Sequence, residues 1–401
     1  MATLKITCIL VFLLVWIKAK KDLGLGLLIG SFALGVLTVR WHDALKYTAA
    51  SFYSPETIDL LVTMLLIYYF IETWSATGST AALTKNLNCV LKNSPIALIL
   101  PPAIIGLIPI MGGAMISAPL VKDSIHTRNV SPAKQTFQNY WFRHLWEYTI
   151  PTYPGVVITA GLLGISYGSV FALNIPMTLS AIALGFLFGM MGMKPAECPA
   201  GEPVERNGGR KLFIALMPLL LVLALALAFK VYLPAALSAS LVYMAAAYKL
   251  RPLRLWEILK KSFNINIVSI VIGIMAFKAV MQKTGIVEVM SGEFVEWKIP
   301  MLLLLFLLPF VTGFITGITQ AFVGISFPLL LNYLSADHNL MTWAYVSGFM
   351  GVMLSPIHVC LVLTKEYFKA SWKDVYKILL LPCLLMLAAA FIIVKLRGLV
   401  H

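Results

Sequence analysis

The apolar stretch 141–163 carries a carboxylate, Glu147, about two helical turns in, at the head of the broken segment Glu147-Tyr148-Thr149-Ile150-Pro151-Thr152-Tyr153-Pro154-Gly155 and one turn before its break. Ionisable groups inside apolar spans are costly and are functional candidates by default. Glu147 therefore reads as a proton- or sodium-coupling carboxylate, or as the partner of Arg143 four residues earlier on one helical face. His358, in Met353-Leu354-Ser355-Pro356-Ile357-His358, is the second candidate. Its imidazole can take a proton near neutral pH or stay neutral and hydrogen-bonded.

Hydroxyls and helix breakers gather around these two. They are Thr149, Thr152, Tyr153 and Ser355 beside the breaks, Pro109, Gly112, Gly113 and Ser117 within 95–121, and Thr316, Gly317, Thr319, Gln320 and Ser326 within 300–331. A helix that starts inside a protein offers free amides and a positive dipole end to an anion; one that stops there offers carbonyls to a cation. Any one of these hydroxyls can be spent on its own helix backbone, but together they outline a substrate- and ion-binding site.

Enzyme motifs are weak. Gly164-Ile165-Ser166-Tyr167-Gly168 has the G-x-S-x-G spacing without the strand that a nucleophile elbow needs. His144 and Glu147 have the spacing of two ligands on one face, and nothing else in their segment completes a metal site. The five cysteines, Cys8, Cys89, Cys198, Cys360 and Cys383, have no paired spacing and read as packing residues. No enzyme, resident cofactor or metal is expected; the ion expected is a coupling Na+ or H+.

The elements that must position these groups are membrane helices. The chain is 60% hydrophobic and 12% charged, with a mean hydropathy of +0.89. Soluble domains have about twice that charge, so a soluble enzyme is excluded. Apolar runs of spanning type lie near 2–17, 23–39, 57–75, 141–163, 167–193, 212–229, 231–248, 264–282, 342–363 and 376–396. Gly26-x-x-x-Gly30 and Gly185-x-x-x-Gly189 are small-residue faces for close helix approach. Two further apolar stretches, 95–121 and 300–331, are interrupted at Pro109–Gly113 and Thr316–Gln320 and read as re-entrant hairpins.

The two stretches are also copies. Thr77-Gly78, Pro102 and Gly106 match Thr284-Gly285, Pro309 and Gly313 at an offset of 207. Ser117-x-Pro119 matches Ser326-x-Pro328 at 209, and Trp141 and Pro154 match Trp343 and Pro356 at 202. Five crossings separate residue 57 from its counterpart near 264, so the second copy is inverted. Residues 1–193 form the first repeat (hairpin 95–121, broken helix 141–163). Residues 194–211 form a cytoplasmic linker, and 212–401 the second repeat (hairpin 300–331, broken helix 342–363). This topology puts 22 of the 31 Lys and Arg on one side, the cytoplasmic one, and both termini on the other. The net charge of +14 is thus a topological signal, and no nucleic acid is expected.

GLIPIMGGAMISAPLV (106–121), NYWFRHLWEYTIPTYPG (139–155) and GFITGITQAFVGISFPLL (313–330) resemble the hallmark segments of a prokaryotic integral-membrane family of unknown function. That family is grouped with the ion transporter superfamily, beside gluconate permeases, citrate and dicarboxylate carriers and sodium/proton antiporters. The resemblance implies an elevator fold with a dimeric scaffold and a moving transport domain, and it supplies no substrate. The Ser-Asn-Thr tips of the dicarboxylate and citrate carriers are absent.

The expectation is an all-α polytopic protein of the inner membrane with ten spans and two hairpins, working as a homodimer. Its function is secondary active transport of a small anionic metabolite coupled to H+ or Na+. The alternatives are a cation/proton antiporter, an intramembrane enzyme using His144, Glu147 and His358, and a non-transporting membrane protein.

Overall fold

The computed structural model describes residues 2–79, 95–109, 113–123, 130–191 and 208–398. Every regular element within them is helical. The chain opens with α1 (Ala2–Lys18), α2 (Leu23–Thr38), α3 (Trp41–Ser51) and α4 (Pro55–Ala76). A 3-10 turn, Pro95–Leu98, leads to α5 (Leu100–Ile105), α6 (Gly113–Asp123), α7 (Pro132–Arg143), α8 (Pro154–Leu163) and α9 (Tyr167–Met190). The chain then continues beyond residue 207. It runs through α10 (Gly208–Leu223, prolonged by a π turn, Ala224–Ala228), α11 (Leu233–Ala247), α12 (Pro252–Ser262) and α13 (Ile265–Thr284). After α14 (Ile286–Glu296) it continues with α15 (Met301–Thr316), α16 (Thr319–Ala336), α17 (Asn339–Leu354), α18 (Val359–Phe368) and α19 (Trp372–Gly398).

Among the described residues six segments are long and apolar enough to cross a membrane: α4, α9, α10 with its π turn, α13, α17 joined to α18, and α19. α2, α8, α11 and α15 are apolar but shorter. The chain thus has the character of a membrane protein. Helix starts follow local chemistry. Ser54 and Ser131 cap α4 and α7 through the amides of Thr57 and Lys134, each with proline at the first helical position, and Ser166 caps α9 through Ser169. Glu293 takes the same part for α1 from a distance, accepting the amides of Ala2 and Thr3 at 2.7 and 2.8 Å.

The two halves interleave. α2 packs on α13 as α11 packs on α4, and α3 on α13 as α12 on α4. α8 lies on α16 as α18 lies on α6. The α2–α13 crossing is backbone on backbone: a Cβ on Gly24 would fall 2.0 Å from the carbonyl carbon of Ser269, and one on Gly273 2.3 Å from the Gly24 oxygen. α15 and α17 close in the same way, with Gly313 on the Gly348 carbonyl and Gly351 on that of Phe310, each at 2.2 Å. The small faces named from the sequence meet side chains instead: Gly26 and Gly30 receive Trp16, Ile9 and Leu13 of α1, and Gly185 receives Trp141 and Phe142.

Three helices are absent from the sequence reading: α3, α12 and α14. All carry charged or polar residues at helical spacing, so a search for apolar runs passes over them. α12 exposes Leu253, Trp256 and Leu259 beside Arg254, Lys260 and Lys261, and α3 exposes Trp41 and Leu45. Both have the make-up of helices lying in a membrane interface. The broken segment also differs from its expected bounds. α7 begins at 132 rather than 141 and ends at Arg143, so Glu147 lies inside the unwound stretch 144–153 rather than one turn before it. The second interruption is narrow, a turn at Gly317-Ile318 between α15 and α16. Of the first, 110–112 lie outside the described residues, Gly112 among them. Cys89, Cys198 and most of the linker 194–211 also lie outside.

Candidate functional site

Two helix breaks, one from each half, meet near the ends of α15 and α6. The first is 144–153, between α7 and α8; the second is 355–358, between α17 and α18. Unwound backbone must find partners from elsewhere, and each break finds one on the opposite half. Tyr345 of α17 donates its hydroxyl to the Glu147 carbonyl at 2.7 Å. Tyr140 of α7 donates to the Met353 carbonyl at 3.0 Å, at the edge of the second break. Asn174 of α9 donates to the Tyr148 carbonyl at 3.1 Å.

The carboxylate of Glu147 faces His144 Nε2, 3.7 Å from Oε1, and accepts from the Thr319 hydroxyl at 3.4 Å. Thr319 is the first residue of α16, so the side chain of the first break reaches the tip of the second hairpin. Gly155, which opens α8, allows this approach: a Cβ there would fall 2.4 Å from Thr319 Cγ2. His144 and His358 face each other through Nε2, 3.3 Å apart. The other nitrogen of each ring is committed to a carbonyl, His144 Nδ1 to Tyr140 at 2.6 Å and His358 Nδ1 to Gly317 at 3.0 Å. Gly317 sits at φ +63° with His358 and Ser355 packed over it. That conformation and that closeness together explain glycine at the turn.

Arg143, buried at the end of α7, completes the group. Its guanidinium lies over the start of α6, where a Cβ on Gly113 would come within 2.6 Å of Nη2, and it hydrogen-bonds the Tyr153 hydroxyl. Tyr153 also donates to the Gly106 carbonyl. Glu147 therefore has Arg143, His144 and Thr319 as neighbours, a wider setting than the single Arg143 pair expected from spacing.

Glu147, Tyr153, Gly113, Gly317, Thr319, Ser355 and His358 come together here. Pro109 lies in the half-buried stretch after α5, and Gln320 is half-buried in the first turn of α16. Other hydroxyls are spent locally. Ser117 bonds the Gly113 and Ala114 carbonyls of its own helix, Thr316 bonds that of Thr312, and Ser326 donates to Thr312 Oγ1 at 3.3 Å. Thr149 pairs with Thr178 at 3.2 Å, while the buried Thr152 hydroxyl has no partner among the described residues.

The sequence reading placed no weight on Tyr140, Tyr345, Asn139 or Cys360. Asn139 ties the site together, donating to the Ala114 carbonyl at 3.0 Å and to Thr364 Oγ1 at 3.3 Å. Asn139 sits on a helix that is polar on average and precedes the apolar run 141–163, so no signal in the sequence singled it out. Cys360 is partly buried and packs against the core, as expected, and its sulfur also lies within 4.8 Å of ligand nitrogens of both histidines.

The chain belongs to the family described as protein of unknown function (DUF401), which matches it over residues 2–396. No curated protein matches the chain.

Proposed function

We propose that this protein is a secondary active transporter of a small anionic metabolite, of organic-acid class, coupled to H+ or Na+. The observation that carries the proposal is the meeting of two helix breaks from opposite halves around Glu147, His144, His358 and Arg143. Discontinuous helices that meet between repeats are the recurrent binding device of secondary transporters. In this reading residues 1–193 and 212–401 are inverted repeats with ten spans and two hairpins, joined by 194–211. The protein lies in the cell membrane with both termini outside the cytoplasm. The interleaved packing of corresponding helices supports the duplication. Kinship with gluconate permeases, citrate and dicarboxylate carriers and sodium/proton antiporters belongs to the same reading.

Each group then has a part. Arg143 and the amides at the start of α6 attract the anion. Glu147 holds the coupling ion, with the carbonyls that end α7 and α15 near it. The segments 95–163 and 300–363 travel together as an elevator, and the remaining helices form the scaffold and the contact between two copies. The Glu147 carboxylate also favours a second reading, a cation/proton antiporter with no organic substrate.

Reconstitution into proteoliposomes separates the two. A panel of labelled organic acids, offered under an inward proton or sodium gradient, is expected to show uptake of one or a few members that collapses with the gradient. Cation-dependent proton efflux with no uptake of any acid establishes the antiporter instead. The topology has its own test in cysteine labelling: positions 122 and 134 are expected on the cytoplasmic side and 337 outside. Labelling of all three from one side contradicts the inverted arrangement.

A further inference from the structure

We propose that His144, His358 and Cys360 form a binding site for one divalent transition-metal ion of the zinc class, built where the two helix breaks cross. A carbonyl oxygen can only accept, so the contacts of His144 Nδ1 with Tyr140 O and of His358 Nδ1 with Gly317 O place a proton on each Nδ1. In the neutral rings both Nε2 atoms then carry lone pairs, and these face each other at 3.3 Å. Two acceptors so placed repel unless something electrophilic lies between or beside them.

The spacing fits a metal. With metal–nitrogen bonds of about 2.0–2.1 Å, two ligands of a tetrahedral centre stand roughly 3.3–3.4 Å apart. Cys360 supplies the third ligand from the first turn of α18, and its sulfur and the two histidine ligand atoms all lie within 4.8 Å of one another. The sulfur accepts a hydrogen bond from the Ala114 amide at the start of α6, with Arg143 nearby. These are the partners a negatively charged, metal-bound sulfur needs. Glu147 Oε1, 3.7 Å from His144 Nε2, lies beside this group and outside the three-ligand set. The backbone carbonyls on both Nδ1 atoms are the outer hydrogen bonds that orient metal-binding imidazoles.

The donor set determines the class of ion. Two imidazoles and a sulfur favour zinc, cobalt, nickel or copper over magnesium and calcium, which prefer oxygen. His144 comes from the first half and His358 and Cys360 from the second, so the ion would tie the halves together at the site. This inference stands apart from the transport reading, because binding needs no gradient and no organic substrate.

Cobalt(II) is the probe, added to the purified full-length protein in detergent with no transport substrate. One equivalent is expected to bind with the intense visible bands of a tetrahedral centre and a sulfur-to-cobalt charge-transfer band, and zinc should displace it. Cys360→Ser should remove the charge-transfer band, while Cys383→Ser leaves it in place. His144→Gln and His358→Gln should each weaken binding by about tenfold or more. Thermal unfolding of every variant shows whether it is folded. Folded wild-type protein that binds no cobalt, or a charge-transfer band that survives Cys360→Ser, overturns the proposal. Loss of uptake with cobalt binding intact overturns only the transport reading.

Discussion

Between α7 and α8 the chain runs unwound for ten residues, 144–153, and this stretch holds His144 and Glu147. Between α17 and α18 the corresponding gap is four residues, 355–358, and holds His358. The second hairpin turns within two residues at Gly317-Ile318, while α5 of the first is followed by four described residues outside any helix, 106–109. The longer break carries the carboxylate and one imidazole, while the shorter break and the tight turn beside it form a compact frame around them.

Substitutions can break or sharpen this contrast. The largest effect is expected from Gly313→Val in the frame, because its side chain would meet the Gly348 carbonyl, already 2.2 Å from an ideal Cβ. A loss of about 3 kcal/mol, read as thermal unfolding in detergent, is the expected cost of overpacking two helix backbones. Glu147→Gln tests the charged half. The protein should stay folded while gradient-driven uptake falls about thirtyfold, the scale of one charged hydrogen bond of about 2 kcal/mol. Unchanged uptake would remove Glu147 from the coupling role.

Tyr345→Phe comes next, since it strips the partner from the Glu147 carbonyl in the longer break. A loss of about 1.5 kcal/mol is expected, against a smaller one for Tyr140→Phe, whose partner Met353 lies at the last turn of a regular helix. Equal losses would mean that the two breaks are equally dependent on their supports. Gly317→Ala should cost about 1 kcal/mol for the left-handed backbone, with a further penalty from the 3.0 Å approach to His358. Ser117→Ala is the control: its hydroxyl bonds only its own helix, so unfolding should shift by less than about 0.5 kcal/mol.

The sequence made the breakers legible. Proline and glycine act locally, so Thr316–Gln320 and Pro154 marked real interruptions, and the carboxylate and imidazole beside them lie where the two breaks meet. What escaped was whatever depends on the other half. His144 with Glu147 looked incomplete as a ligand pair because the residues beside it, His358 and Cys360, lie more than two hundred positions away. Tyr345 and Tyr140 read as ordinary span aromatics, since their hydroxyls matter only once the opposite break is in reach. The hydroxyls of Thr149, Ser117 and Ser326 are bonded to Thr178, to their own helix backbone and to Thr312, partners that spacing alone did not reveal. α3 and α12 were missed because their charged and apolar residues alternate at helical spacing and leave no apolar run to find.

The α2–α13 contact carries a consequence for biogenesis. Gly24 and Gly273 press backbone to backbone, yet 249 residues separate them in the order of synthesis. At roughly 5–20 residues per second, the glycine face of α2 waits about 10–50 s for its partner to leave the ribosome. The first half must therefore survive in the bilayer without its closing helix. A chain arrested before residue 265 would leave that face open to whatever small-faced helix lies nearby, which makes premature termination a hazard to neighbouring membrane proteins as well as to this one.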